Sequence, residues 1–250
     1  MQKRKITLGV ILFILGLIGI LSMLTMEIPL PEETVALLKD SFTPDQMQML
    51  ALINPTFLVL VTVIIGTMLY HKLGFKLPIL EKVVGIDNPG ESIKSVVVYG
   101  VAGGVLAGFA LTVIGLLFTS VLPAEFTKLS NSIQPSLAAR FLYGGITEEL
   151  MMRFGLMTLI VWFGVKIFNG QKPMVYWIGI FASALLFAFG HFPVAYQAVS
   201  QPSTGLLIYI LIGNSVGGIV FGWLYWKKGL ESAFVAHVFA HVVMVLAEKV

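Results

Sequence analysis

The chain has 250 residues, of which 57% are hydrophobic and only 12% are charged, and its formal net charge is +3. A soluble domain carries about 25% charged residues. The mean hydropathy of +0.93 therefore excludes an ordinary soluble globular protein. The chain has no cysteine, which excludes disulfides, cysteine catalysis and thiolate metal sites.

Long stretches without a charged residue predict membrane-spanning helices. A transmembrane helix needs about 20 apolar residues, and the longest stretch, residues 173–226, has room for two helices with a turn between them. The sequence predicts an all-α polytopic transmembrane bundle of about seven spans. We expect these spans near residues 6–26, 53–71, 94–122, 136–165, 174–192, 205–226 and 231–247.

The basic residues are distributed unequally between the two sides of this predicted bundle. Loops on the N-terminal side hold eleven Lys or Arg residues, whereas the opposite side holds four, Lys39, Lys128, Arg140 and Lys249. Cytoplasmic loops of membrane proteins are enriched in Lys and Arg, so we expect a multi-pass protein of the cell membrane with a cytoplasmic N-terminus. The pI near 9.0 follows from this topology, so we expect the lipid bilayer as a partner and no nucleic acid.

An additional helix is predicted before the second span. Thr43-Pro44-Asp45-Gln46 supplies a capping residue, a proline at the first helical position and a glutamine at the third, a pattern typical of a helix N-terminus. Asn54-Pro55 should interrupt the helix before the span. We interpret this segment as an interfacial helix.

The stretch GGITEELMMRFG, residues 144–155, places three charged side chains inside a predicted span. Each charged residue at a helix centre costs roughly 2.5–3.5 kcal/mol on insertion scales. Glu149 and Arg153 are four residues apart and can pair on one face of an α-helix. Glu148 is rotated about 100° away, so a group outside its own helix must satisfy it.

Three of the four histidines lie in predicted spans and are candidates for that group. His191 ends the phrase FAFGH late in the fifth span, and His237 and His241 are four residues apart in the seventh span. His71 lies at a span end beside Lys72, and we interpret it as an interface residue. Three histidines from two spans and a glutamate from a third indicate a functional site.

The order of these motifs resembles a known family. Glu148-Glu149-x-x-x-Arg153 is followed by Phe187-x-x-x-His191 and then by His237, after the phrases FGWLY (residues 221–225) and Gly229-Leu230. This pattern is similar to the CAAX protease and bacteriocin-processing family, the Abi-type intramembrane proteases related to type II CAAX prenyl endopeptidases. The resemblance covers roughly residues 137–245.

The resemblance implies a catalytic core in residues 136–250, which together with the first three spans and the interfacial helix in residues 1–135 would form one membrane domain. It implies an endopeptidase that hydrolyses a peptide bond of a membrane-associated or lipidated protein or peptide. Glu148 would activate the water with help from His191, and His237 would stabilise the oxyanion. The Glu149–Arg153 pair would shape and neutralise the site.

One position departs from the family pattern. The family has Asn or a similar polar residue four positions after the last histidine, and this chain has His241. A neutral imidazole can donate a hydrogen bond, and Asn214 could supply an amide instead. Alternatively, His191, His237 and His241 could bind zinc as a three-histidine set with Glu148 as base. The sequence leaves both a metal-free and a zinc site open.

Two other classes of function remain open. A catalytically inactive family member could act as a membrane scaffold or a bacteriocin-immunity protein. A proton-coupled transporter could use Glu148 or Glu149 as a relay, although such proteins commonly contain inverted repeats and we detect none between the two halves. Whether a substrate is prenylated is also open.

Overall fold

The computed structural model describes residues 2–28, 30, 32–87 and 91–248. Within these ranges the chain forms helices and no β-strand. A π-helix in two adjoining segments, Ala139–Glu148 and Leu150–Met157, lies between α7 and α8. The α-helices are α1 (Gln2–Ser22), α2 (Glu32–Leu38), α3 (Pro44–Ala51), α4 (Ile53–Leu69), α5 (Pro78–Val83), α6 (Ile93–Val121), α7 (Pro123–Ser132), α8 (Thr158–Ile167), α9 (Pro173–Gly190), α10 (Phe192–Ala198), α11 (Thr204–Lys228) and α12 (Leu230–Ala247).

Seven helical segments of the described chain are long and apolar enough to cross a membrane, which confirms the predicted all-α bundle and its number of spans. The spans occur in the predicted order, and most of their ends differ from the prediction by a few residues. The second span begins earlier than predicted, at Pro44. Lys249, one of the four basic residues assigned to the far side, lies outside the described residues. The spans are Gln2–Thr25, Pro44–Leu73, Ile93–Val121, Ala139–Ile167, Pro173–Ala198, Thr204–Lys228 and Leu230–Ala247.

The predicted helix start at Pro44 is confirmed. The Thr43 hydroxyl oxygen accepts from the Gln46 backbone N–H, and the Gln46 side chain accepts from the Thr43 N–H, so both halves of a capping box are present. α3 ends at Ala51, Leu52 caps it, and α4 begins at Ile53. Pro55 therefore lies in the first turn of α4, where a missing backbone donor has no helical partner to lose.

The fourth span begins as a π-helix, whereas the sequence spacing assumed an α-helix. Thr147 and Thr158 show the wider repeat, since each hydroxyl donates to the carbonyl five residues earlier. π-Helical geometry is rare and occurs mostly as single turns at functional sites. The 100° rotation expected between Glu148 and Glu149 therefore does not apply, and tertiary packing sets their directions.

Close helix contacts surround this π-helix. Glycines of α1 and α4 lie against it, and a methyl group added to Gly19 would collide with Thr147 Oγ1, while one added to Gly66 would collide with the Phe154 ring. The Thr147 hydroxyl also donates to Gly16 O at 3.0 Å. Small residues let helix backbones approach closely in membranes, so the N-terminal spans hold the π-helix in place.

The N-terminal end of α12 is fixed by a polar contact with α5. Glu231 Oε1 accepts hydrogen bonds from the backbone N–H groups of Ile79 and Leu80, at 3.0 and 2.8 Å. Gly229 precedes α12 with φ of +101°, and a methyl group there would collide with the Pro78 ring. These contacts fix the position of α12, and therefore of His237 and His241, along the bundle axis.

A small second core covers the end of the bundle opposite to the N-terminus. It contains residues of α7, α10 and the start of α11, including Phe126, Ala195 and Leu206. The Glu125 carboxylate accepts from the Ser203 hydroxyl at 2.6 Å and from the Ser203 backbone N–H at 2.7 Å. These hydrogen bonds lower the pKa of the Glu125 carboxyl below its ordinary value.

We predict that Gly19→Ala destabilises the protein. The added methyl group would lie 2.5 Å from Leu142 O and would overlap Thr147 Oγ1, and a backbone carbonyl cannot rotate away. Overpacking of this kind costs about 1–3 kcal/mol, which a thermal melt in detergent would detect. Gly115→Ala is the matched control, because the nearest atom to its methyl group is Tyr209 Oη at 3.9 Å. Equal melting temperatures for the two variants would contradict the close contact.

Candidate active site

Glu149 connects the π-helix to α12 through two buried contacts. Its Oε2 atom lies 3.1 Å from Arg153 Nε, and its Oε1 atom lies 2.9 Å from His237 Nδ1. The side chains of Glu149 and Arg153 have no exposed surface. The predicted Glu149–Arg153 pair is therefore present in the structure, with a histidine as an additional partner.

The Arg153 guanidinium is stabilised mainly by charge and by aromatic rings. Its central carbon lies 5.3 Å from the centre of the Phe187 ring and 5.8 Å from that of Phe221. Among the described residues, no acceptor is in hydrogen-bonding geometry with any of its nitrogens. Cation–π contacts reach about 2 kcal/mol when desolvated, so the two rings and the Glu149 charge together offset the burial of this cation.

Glu148 has its partner on another helix, as the sequence required. Its Oε2 atom lies 3.9 Å from Nε2 of His237. Because Nδ1 of His237 faces the Glu149 carboxylate, Nδ1 carries a proton and Nε2 is directed toward Glu148. The Glu148 side chain is 16% exposed, while that of Glu149 is completely buried.

His191 is held in one tautomer by its own helix. Its Nδ1 atom lies 2.9 Å from Phe187 O, and a carbonyl can only accept, so Nδ1 is the donor. In the neutral ring Nε2 then carries the free lone pair. The ring also contacts Phe187 edge-to-face at 4.6 Å, so the first residue of the Phe187-x-x-x-His191 motif orients the last.

His241 and Asn214 lie at the same cavity but make few internal contacts. Among the described residues, Nδ1 of His241 is buried without a hydrogen-bond partner. Asn214 Nδ2 donates to Ile210 O at 2.9 Å, which uses one of the two amide protons. Gly144 makes room for the imidazoles, since an added methyl group would be 2.8 Å from His241 Nε2 and 3.7 Å from His237 Nε2.

A cavity of about 390 Å³ brings these side chains together. Glu148, His191, Asn214, His237 and His241 all line it. Glu149 and Arg153 contact other residues of its lining, namely His237, Phe187 and Phe221. It meets a second cavity of about 580 Å³ toward the end of the bundle opposite to the N-terminus. The walls are otherwise largely apolar, so an extended apolar peptide segment could occupy the joined space.

The arrangement of the histidines does not form a three-histidine metal site. The rings of His237 and His241 are stacked, with centroids 5.0 Å apart and planes 17° apart. In the described part of the chain, no three His, Cys, Asp or Glu side chains form a group that could hold a metal.

Comparison with protein families agrees with the motif order. Residues 130–243 match the family described as Rce1-like, type II CAAX prenyl endopeptidase Rce1-like. This segment belongs to the CAAX-protease family. The Rce1-like segment contains every residue of the predicted site and begins a few residues before the fourth span. Searches among curated proteins and among solved structures found no significant match.

Two residues of the Rce1-like segment contribute to the site in ways that the sequence analysis did not assign. Phe221 stacks on His237 with ring centres 4.6 Å apart, besides contacting Arg153. Gly144 provides the space beside His241. Both occur in quoted motif phrases, but only the tertiary contacts between spans assign them these positions.

We predict that Arg153→Ala destabilises the protein more than Glu148→Ala does. Removal of Arg153 leaves the fully buried Glu149 carboxylate with His237 as its one described ionic partner. Breaking a buried pair costs about 3–5 kcal/mol in soluble proteins. Glu148 is partly exposed, and among the described residues its closest ionic partner is His237 at 3.9 Å, so removal of Glu148 should have little effect on stability.

Thermal melts of both variants in detergent would measure the difference. Arg153→Lys is a useful control, since it keeps the charge but loses the planar guanidinium, and it should give an intermediate melting temperature. An equal or larger loss for Glu148→Ala would contradict the different roles of the two glutamates.

Proposed function

We propose that this protein is an intramembrane endopeptidase that hydrolyses a peptide bond of a membrane-associated or lipidated protein or peptide, with a water activated by Glu148. The observation that supports this proposal is the different environment of two adjacent glutamates. Glu148 lines the cavity, whereas Glu149 is buried between Arg153 and His237. One carboxylate is thus available to water and substrate, and the other is structural.

Glu148 acts as the general base in this proposal. It takes a proton from a water molecule in the cavity as the oxygen attacks the substrate carbonyl carbon, and it later returns a proton to the departing amine. His191 lines the same cavity with Nε2 as an acceptor. It can therefore accept a hydrogen bond from the same water and orient the oxygen toward the carbonyl.

His237 stabilises the oxyanion that forms in the tetrahedral intermediate. Its Nδ1–H is directed at Glu149, so a proton on Nε2 would point toward Glu148 and the cavity. The Glu149 carboxylate balances the Arg153 charge, and paired groups of this kind are the form in which buried charges are tolerated. An N–H at Nε2 of His237 would be a donor toward the oxyanion.

His241 and the Asn214 amide are the candidates for a second oxyanion donor. His241 stacks on His237 and lines both cavities, and Asn214 retains one amide proton that its own helix does not use. Either group could occupy the role that Asn has in the family pattern. The proposal requires no metal ion, because these side chains supply both the base and the donors.

The charge distribution adds an orientation to this proposal. With eleven basic residues on the N-terminal side and four on the other, we place the N-terminus in the cytoplasm and the chain in the cell membrane. The larger cavity opens near α7, α10 and the end of α12, which is the opposite side. Substrates would therefore enter from the outer face of the membrane.

We predict that Glu148→Gln abolishes peptide-bond hydrolysis while the protein still inserts and folds. The amide fills the same space but cannot accept the proton of water. The substrate-independent measurement compares the termini of membrane proteins from cells that produce the wild-type chain with those from cells that produce the variant.

New termini that require Glu148 would support the protease. If no terminus differs, or if a folded Glu148→Gln variant cleaves normally, the proposed mechanism is wrong. A scaffold or a transporter would give the first of these results, so the same experiment separates the protease from both alternative classes of function. Asp45→Asn is the matched control, since it also removes a carboxylate but lies in α3, away from the cavity.

We predict that His241→Asn keeps most activity and that His241→Ala loses much more. The asparagine can donate a hydrogen bond to the oxyanion, whereas alanine cannot. Loss of one oxyanion donor costs a factor of about 10² to 10³ in kcat. Cleavage of the substrates found above, with both variants at equal protein levels, measures the ratio.

Elemental analysis of the purified protein tests the zinc alternative in parallel. One tightly held zinc per chain, lost together with activity in His241→Asn, would overturn the metal-free site. Equal activity of the asparagine and alanine variants would remove His241 from the oxyanion role.

A further inference from the structure

Arg140 is a cation at the cavity to which neither the fold nor the proposed hydrolysis assigns a role. Among the described residues that line either cavity, it is the only Lys or Arg. It is also one of the few basic residues on the side of the bundle that the topology depletes of them. Its side chain is 17% exposed, and its Nε donates to Pro135 O at 3.3 Å. The guanidinium is thus anchored through Nε, which leaves its two terminal nitrogens for a second partner.

In the free protein those two nitrogens bind a carboxylate of the chain itself. Nη1 lies 2.8 Å from Glu248 Oε1, and Nη2 lies 3.2 Å from Glu248 Oε2. This parallel, bidentate geometry is the one by which arginine recognises a peptide carboxylate. Glu248 is the last residue that the structure describes, and its side chain is 55% exposed.

The Glu248 carboxylate is held weakly enough to be replaced. It lies at the C-terminal end of α12, where the helix dipole disfavours a negative charge. Exposed ion pairs contribute little to stability. A carboxylate that is part of a ligand bound along the cavity would gain apolar contacts in addition to the same two hydrogen bonds, and could therefore displace Glu248.

We propose that Arg140 is a specificity-determining residue that binds a substrate carboxylate close to the scissile bond, and that Glu248 occupies this subsite in the free protein. The carboxylate belongs either to the C-terminus of the substrate or to an acidic side chain near it. This assignment rests on the proposed peptidase function. It adds a negatively charged group to an otherwise apolar substrate.

The spacing of the two residues is compatible with one extended peptide. Arg140 precedes Glu148 by eight positions on the same helical span, which corresponds to at most about 12 Å at the α-helical rise. An extended peptide covers about 3.3–3.6 Å per residue. A carboxylate a few residues from the scissile bond can therefore reach Arg140 while the bond lies at Glu148.

The surrounding groups favour a single negative charge at this position. Besides Arg140 and Glu248, the charged or titratable side chains of the joined cavities are Glu148, His191, His237, His241 and the phenols of Tyr143 and Tyr209. Leu111, Ile133 and Met244 supply apolar surface beside Arg140 in both cavities. A peptide with apolar side chains and one carboxylate matches this combination.

Binding can be tested separately from hydrolysis in the Glu148→Gln background. The probes are N-dodecanoyl-Ala-Leu-Leu-Ala as the free acid, the same peptide as its C-terminal amide, and N-dodecanoyl-Ala-Leu-Leu-Glu amide. Equilibrium binding to purified protein in detergent gives a Kd for each. The third probe separates a C-terminal carboxylate from an acidic side chain.

We predict that at least one of the two carboxylate probes binds about tenfold more tightly than the neutral amide, because a bidentate charged pair is among the strong hydrogen bonds. Arg140→Gln should abolish that preference, and Arg140→Lys should reduce it. Glu248→Gln should tighten carboxylate binding without affecting the amide, since it removes the competing group. A purely structural Arg140–Glu248 pair would not give this opposite effect.

Lys128→Gln is the matched control. It removes a cation from the same side of the bundle but from outside both cavities, and it should leave all three Kd values unchanged. Equal binding of acids and amide, a preference that survives Arg140→Gln, or no binding of any probe would overturn the proposal. If the wild type hydrolyses acid and amide equally, only the Arg140 subsite fails. If the acid preference is present but no hydrolysis occurs, only the peptidase function fails.

Discussion

The burial of Glu149 is the constraint on which the rest of the site depends. A carboxylate without exposed surface must be paired, and here its two oxygens face Arg153 on its own span and His237 on α12. This three-group contact joins the π-helix to α12 and orients the His237 ring. Glu148, the preceding residue of the same helix, is thereby directed into the cavity. The direction of the Glu148 side chain is set by the charge balance of its neighbour.

That balance holds only if the helices stay in register. The first three spans lie entirely outside the Rce1-like segment, yet α1 and α4 contact the π-helix at Gly16, Gly19 and Gly66. At the other end of the bundle, Glu231 fixes the start of α12 against α5. The family motif therefore supplies the polar groups, while residues without a motif keep them within hydrogen-bonding distance of one another.

The sequence predicted the helical architecture, and the residues of the candidate site line one cavity in the structure, but their geometry was not predicted. Uncharged stretches identify spans because the bilayer imposes one length on each of them, and charged residues within those spans mark a candidate site because their burial is costly. The directions of the Glu148 and Glu149 side chains were not predicted, because α-helical spacing was assumed where the structure has a π-helix. Phe221 and Gly144 illustrate the same gap. Both residues act through contacts between spans, which the residue spacing within one span does not predict.

Two adjacent residues of one type thus acquire opposite properties from their surroundings. Glu149 is fixed by a guanidinium, an imidazole and the absence of water, so it can contribute only charge and orientation. Glu148 shares the backbone but borders a cavity whose other polar groups are histidines and an amide. A carboxylate is useful as a base only where a neighbouring group has already balanced the nearby cations. The two adjacent glutamates separate these two requirements, because Glu149 neutralises Arg153 and leaves Glu148 available for the proposed role as base.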